Sequence, residues 1–202
     1  TYDIRGLGES PAGNGQFTIE SFVDDLEIIM GDLYLEKPIL CGLSMGGYIA
    51  LNFSSRYSDR LKALILCDTQ CIADSEASRE KRYKSIEEIL EDGPNNFVDK
   101  FIKSIFCQNT HNTKPEIVSQ LKTLVSANPI PVFVNGLKAL ANRTETCTKL
   151  KDIDIPTLIV CGREDELTPV SQSEFMHQQI KTSKLHIVEN AGHMSNLEQE
   201  DE

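Results

Sequence analysis

A chain of 202 residues is long enough for one domain with a sizeable core, or for one domain carrying an insertion. Hydrophobic residues make up 40% of it and charged residues 25%, proportions ordinary for a soluble globular protein. The formal net charge of -11 argues against nucleic acid and anionic membrane surfaces as partners, and no apolar run reaches the ~20 residues of a transmembrane helix.

The segment Thr1-Tyr2-Asp3-Ile4 reads as the tail of a strand that runs into a turn at Gly6 and Gly8. Arg5 by itself is a turn residue, and Pro11 to Gln16 continue as loop, broken by Gly13 and Gly15. Thr18 can cap a helix with Glu20 in its first turn. Phe22, Leu26, Ile29, Met30 and Leu33 recur at helical spacing along it, while Asp24, Asp25, Glu27 and Asp32 form a solvated acidic face rather than a metal site.

The apolar run from Pro38 ends in Gly42-Leu43-Ser44-Met45-Gly46, and a small-residue helical segment, Met45 to Tyr57, follows at once. Strand, sharp turn and helix with Ser at the centre of G-x-S-x-G make a nucleophile elbow. Gly42 and Gly46 are expected because a serine strained into such a turn leaves no room for side chains two positions away on either side. The hydroxyl then stands clear of the sheet at a helix N-terminus, where amide N–H groups can face a developing oxyanion. A phosphate-binding turn is the alternative for a glycine-rich elbow, but there is no Lys-Ser/Thr of a P-loop and no G-x-G-x-x-G.

Leu61 to Cys67 form a second strand, and the alternation of helix and strand predicts a parallel sheet covered on both faces. From Asp68 to Lys149 the alternation stops. Tyr83, Ile86 and Leu90 share one helical face, and Phe97, Val98, Phe101, Ile102, Ile105 and Phe106 form a second stripe. A third segment starts at Lys114-Pro115, and a fourth runs from Val132 to Asn142 after the break Asn128-Pro129-Ile130-Pro131. The division predicted is a core of residues 1–68 and 150–202 with a helical lid over 69–149, inserted after the third visible strand. The sheet resumes at Thr157 to Gly162. It continues through a helix from Val170 to about Ile180 and a strand from Ser183 to Val188, and the loop Asn190 to Met194 follows.

The cysteines, at 41, 67, 71, 107, 147 and 161, make no C-x-x-C, and Cys67 and Cys71 have no nearby histidine, so no zinc site is read. Cys41, Cys67 and Cys161 end apolar runs and read as small buried thiols. With no leader pattern visible, this implies a reducing, cytoplasmic setting.

Chemistry in an open parallel sheet belongs at the carboxyl ends of the strands. Loops there carry Ser44, Asp165 and His193, in the chain order of an α/β-hydrolase triad. His193 would accept the proton of Ser44 and return it to the leaving group, with Asp165 holding the tautomer. Asp68, just after the second strand, is the rival acid, and Glu164 and Glu166 read as solvated neighbours. His186 lies within a strand, and His111 and His177 lie in the insertion and on a helix, away from these loops.

Four motifs now carry a family resemblance: Asp3-x-Arg5-Gly6-x-Gly8-x-Ser10, Gly42-Leu43-Ser44-Met45-Gly46-Gly47, Pro156-Thr157-Leu158-Ile159-Val160-x-Gly162-x-x-Asp165 and Gly192-His193-Met194-x-x-x-Glu198. Together they resemble the α/β-hydrolase superfamily, in the esterase and lactonase branch that includes 3-oxoadipate enol-lactonases. The resemblance implies hydrolysis of a small-molecule carboxylic ester or lactone without a cofactor or metal, with the Met45 backbone N–H as one oxyanion donor. Alternatives on the same fold are a cofactor-free haloperoxidase-like or C–C bond hydrolase, or a non-catalytic binding protein. If the substrate carries a carboxylate, Arg143 and Arg82 are the candidates to bind it. Family members have further strands and a His-Gly oxyanion loop before the position of Thr1 and a final helix after Glu202. The chain is therefore expected to be a fragment, with an unpaired strand edge and weak activity on its own. The sequence does not set an oligomeric state.

Overall fold

The computed structural model describes residues 1–13 and 17–202. The loop expected over 11–16 thus falls partly outside the described residues. Thr1 to Ile4 are not a strand: no strand pairs with them among the described residues, Ile4 O accepting only from Leu7 N in the turn that follows, and a strand exists only as part of a ladder. The helical insertion accordingly follows the second described strand, not the third.

Helix α1 (Ile19–Asp32) is opened by Thr18, whose side chain accepts from Ser21 N while the Ser21 side chain accepts from Thr18 N. Its acidic face is not simply solvated. Asp25 pairs with Arg5, Asp24 with Arg56 at 2.6 Å and Glu27 with Arg60 at 3.1 Å, so Arg5 is tied to the helix rather than idle in its turn. Strand β1 (Ile39–Leu43) leads through Ser44 into helix α2 (Met45–Arg56), and β2 (Ala63–Cys67) follows.

The insertion then contributes α3 (Glu76–Asp92), α4 (Asn95–Ile105), α5 (Gln108–Thr113), α6 (Pro115–Ser126) and α7 (Ile130–Ala141). Strand β3 (Thr157–Gly162), helix α8 (Val170–Gln179), strand β4 (Ser183–Val188) and the short α9 (Ser195–Glu198) complete the fold. Helix α5 was not expected, because its sequence has no apolar period. Helix α7 begins before the expected break ends, since Pro131 sits in its first turn, where a missing N–H costs nothing.

The four strands are parallel and lie in the order β1-β2-β3-β4. Each crossover steps in the same direction, and right-handed crossovers of that kind place their helices on one side. Helices α1, α2 and α8 therefore share a core on one face: Phe22, Phe53, Leu64, Leu66, Ile159 and Met176 are all essentially fully buried there. The opposite face, with Cys41 and Leu158 exposed, has no such cover among the described residues, contrary to the two-sided burial expected.

The insertion has its own core of Ile86, Ile89, Val98, Ile102, Ile105, Phe106, Phe133, Val134 and Leu137. The face α3 buries is Ile86 and Ile89; Tyr83 and Leu90, expected beside Ile86, are exposed at 38% and 61%. Among the described residues no single helix is long and apolar enough to cross a membrane.

The cysteines depart from the expectation of reduced thiols. Cys71 and Cys147, 76 residues apart, form a disulfide that joins the two chain segments at the neck of the insertion. Cys161 is buried as expected, but Cys41 is exposed and Cys67 is half-buried. A disulfide is not the mark of a reducing compartment, so the cysteine argument for a cytoplasmic setting falls away.

Candidate active site

Parallel strands all end on one side, so the four consecutive strands deliver four loops to one place. Ser44 follows β1, Asp68 follows β2, Asp165 follows β3 and His193 follows β4.

Ser44 has φ 51 and ψ -115, a left-handed conformation costly for a residue with a Cβ. The backbone around it is fastened to the end of β2. Ser44 N donates to Cys67 O at 2.9 Å, and Thr69 Oγ1 donates to Ser44 O at 2.9 Å. A Cβ on Gly42 would collide with the Gly46 carbonyl, which explains glycine two positions before the serine. Gly46 itself faces open space, contrary to the crowding expected there. Gly47 is the crowded position, because a Cβ there would enter the Thr69 side chain. Met45 is the first residue of α2, so its N–H belongs to the helical turn that lacks intrahelical acceptors.

His193 is buried at 4% exposure, with Nδ1 2.8 Å from Asp165 Oδ2 and Nε2 2.8 Å from Ser44 Oγ. An ionised carboxylate can only accept, so the proton of the neutral ring sits on Nδ1 and Nε2 is left to accept from the Ser44 hydroxyl. Asp165 Oδ1 takes Leu167 N and Thr168 N, and Oδ2 takes Thr168 Oγ1 at 2.6 Å as well as His193. Burial works to raise the Asp165 carboxyl, but the hydrogen bond and charge of His193 and the Thr168 donors outweigh it and hold it below its usual range.

Asp68 is fully buried beside this group. Its Oδ1 accepts from Gly162 N at 2.8 Å and its Oδ2 from Ser195 Oγ at 2.5 Å. Burial above all, with a further contribution from Asp165, pushes it up to about 6 against the hydrogen bonds of Ser195 and Gly162 and the charge of His193. One potential ligand atom from each of Asp68, Cys161 and Asp165 lies within 4.8 Å of the others. Every carboxylate oxygen in that trio already accepts from an N–H or O–H, and burial pushes the Cys161 thiol up to about 12. The donor set is that of hydrogen-bonded acids and a protonated thiol, a poor match for a cation.

The other candidates lie elsewhere. Arg82 and Arg143 converge on Asp74, at 2.5 and 2.6 Å, at the start of the insertion. Arg143 is buried, stacks over the Tyr48 ring and donates to the Ile72 and Leu140 carbonyls, while its Nη2 has no hydrogen-bond partner among the described residues. Neither arginine shares a hydrogen bond with Ser44, His193 or Asp165. Glu164, Glu166 and His186 are exposed, and His111 and His177 bond within their own surroundings.

Sequence reasoning missed Thr69, Thr168 and Ser195 as supports of the site. The spacing Asp165-x-x-Thr168, a hydroxyl three residues after an acid in a turn, was the available signal for one of them. Glu198 was noted only as part of a motif. It is fully buried, and it takes Gly192 N and Met194 N on Oε1 and Cys107 N and Thr110 Oγ1 on Oε2. It thereby clasps the insertion to the histidine loop.

Comparison with known proteins places the chain among hydrolases. It is 28% identical over 200 residues to 3-oxoadipate enol-lactonase 1 of Acinetobacter baylyi, covering 98% of this chain and 73% of that protein. It is 31% identical over 222 residues to the proline iminopeptidase of Lactobacillus helveticus, covering all of this chain and 75% of that one. Among solved structures it superposes on a thermophilic esterase from Thermogutta terrifontis with a TM-score of 0.93 at 33% identity, covering 98% of this chain and 74% of that one. The model of the α/β hydrolase fold family matches residues 1–200, and the chain belongs to that family.

Proposed function

We propose that this chain is a serine hydrolase that cleaves a small-molecule carboxylic ester or lactone through a covalent acyl-enzyme on Ser44. The observation that carries the reading is the unbroken Asp165–His193–Ser44 hydrogen-bond chain at a strained elbow. His193 Nε2 removes the hydroxyl proton as Ser44 Oγ attacks the substrate carbonyl, and Asp165 stabilises the imidazolium that forms. The Met45 N–H donates to the developing oxyanion. The imidazolium returns its proton to the leaving alcohol, or to the internal alkoxide of an opened lactone. A water activated by the same nitrogen then releases the acid. No step in this sequence requires a cofactor or metal.

Ester or lactone rather than amide is favoured by the enol-lactonase and esterase relatives, against which the iminopeptidase similarity is the competing signal. The helical segment 69–149 acts in this reading as the lid that shapes the substrate site. Arg143 and Arg82 together carry one positive charge more than Asp74 neutralises, and Arg143 Nη2 is unpartnered, which supports binding of a substrate carboxylate there.

The test is labelling by a fluorophosphonate probe together with turnover of aryl esters and lactones. Labelling and turnover are expected in the unaltered protein and lost in Ser44→Ala. Arg143→Ala is expected to raise KM for lactones bearing a carboxylate more than for neutral esters. Absence of labelling at Ser44 overturns the hydrolase reading, and labelling without ester turnover moves the reaction to another bond.

A further inference from the structure

The relay through Ser44, His193 and Asp165 leaves one strand end unused: β2 delivers a carboxylate, Asp68, that touches neither the serine nor the histidine. Three facts make it more than a structural acid. It is fully buried, although carboxylates are rarely buried without a cationic partner, and among the described residues no Lys or Arg pairs with it. It stands in a left-handed conformation, φ 44, which is unusual for any residue but glycine. And its two oxygens hold the two flanking loops, Gly162 N at the end of the acid strand and Ser195 Oγ on the helix just past His193.

We propose that Asp68 is a positioning residue of the active site, a second carboxylate that braces the acid loop against the histidine loop and adds a negative charge behind Asp165 that favours the His193 imidazolium. The proposal rests on the hydrolase reading above. The groups facing Asp68 are Cys67 on its own strand, Cys161 and Gly162 N from β3, Asp165 from the acid loop, and His193 and Ser195 from the histidine loop. His193 is the one base among them, so it is the group whose protonation a negative Asp68 favours. Burial above all, with a smaller contribution from the Asp165 charge, pushes Asp68 up to about 6, while the His193 charge acts to lower it. During turnover the charge of the pair is worth most when the imidazolium exists, because attack by Ser44 creates that cation next to Asp165.

Asp68→Asn separates charge from shape. The amide oxygen can still accept from Gly162 N, and the amide nitrogen can donate to the Ser195 hydroxyl, which is free to accept. The expected result is a fall in kcat of about three- to tenfold with KM unchanged. The acid limb of the kcat/KM profile is expected to move to lower pH by about one unit, since removal of a nearby anion makes the base harder to protonate. A carbon-13 NMR titration of the His193 ring reads the same displacement without substrate. Ser195→Ala keeps the charge but removes one of its donors, and it is expected to move the limb in the same direction by less.

A folded Asp68→Asn protein whose acid limb and His193 titration both stay at the wild-type position overturns the proposal. If Asp68→Asn does not fold, Ser195→Ala decides: a displaced limb supports the proposal and an undisplaced one overturns it. A protein that hydrolyses nothing and takes no fluorophosphonate refutes the hydrolase reading instead, and the NMR titration still reports on Asp68.

Discussion

Glu198→Gln tests whether the helical insertion is held to the histidine loop by one buried carboxylate. The native side chain takes Gly192 N at 2.7 Å and Met194 N at 3.3 Å on one oxygen, and Thr110 Oγ1 at 2.6 Å and Cys107 N at 2.8 Å on the other. Glutamine has the same shape, but one of its two ends is a donor. Turned toward Gly192, that end faces two backbone N–H groups. Turned toward Thr110, it can be accepted by the hydroxyl and opposes only the Cys107 N–H. The second orientation costs less, and it leaves one buried donor unpaired at about 1–3 kcal/mol. Loss of charge assistance in the surviving bonds brings the total to about 3 kcal/mol. For a chain of this length that is a fall in Tm of roughly 6–12 °C. Urea denaturation and calorimetry read both quantities. Gly192 precedes His193, and His193 N donates to Ile105 O in the insertion, so Ser44 labelling should also slow at temperatures well below Tm. A loss under about 0.5 kcal/mol, with labelling at the wild-type rate, would refute the claim that this clasp positions the histidine.

Two further outcomes follow from the chain's other buried constraints. Reducing Cys71–Cys147, which closes a separation of 76 residues, should lower stability by about 2–4 kcal/mol, measured by urea denaturation with and without dithiothreitol. Asp68 titrates near 3.8 in the unfolded chain and at about 6 in the folded one, so the folded state binds more protons between those values and this group's contribution to stability falls as pH rises through about 4–6. Asp165, held low, works oppositely, and its contribution is lost only as pH falls below about 3.8. Asp68→Asn should therefore gain up to about 3 kcal/mol relative to wild type between pH 4 and 7, and parallel stability–pH curves would exclude the buried charge.

What was legible in the sequence was local. The elbow could be read because glycine is forced where a Cβ meets backbone, as at Gly42. The placement of Ser44, Asp165 and His193 at strand ends followed from short apolar runs, each followed by a polar loop. What was hidden depends on contacts between distant segments. Nothing near Cys71 points to Cys147, since spacing does not pair cysteines. Helix α5 has no apolar stripe and is held by Thr110 and Cys107 against Glu198 instead. The crowding at Gly47 comes from Thr69, just past the end of β2, and a reading of the pentapeptide alone places it at Gly46. Leu90 fits a helical face by spacing, yet the face that α3 turns into the insertion's core carries Ile86 and Ile89.

Asp68 shows the same limit from the other side. By position it is interchangeable with Asp165, since each follows a strand that neighbours the other, and rivalry was the only relation the sequence could suggest. The register removes that choice. Asp165 meets His193 Nδ1 from the loop after β3 and is wired by Thr168, while Asp68, at the end of β2, grips Gly162 at the start of that loop and Ser195 past the histidine. One carboxylate can hold the imidazole only if the two loops stay in register, and the other is placed to keep them there. A neutral side chain of the same shape could hold the loops equally well and would avoid the cost of a buried charge. The charge at Asp68 therefore has a physical rationale only if something positive forms nearby, and among the groups that face it the His193 ring is the one that would gain a proton in the hydrolase reading proposed above.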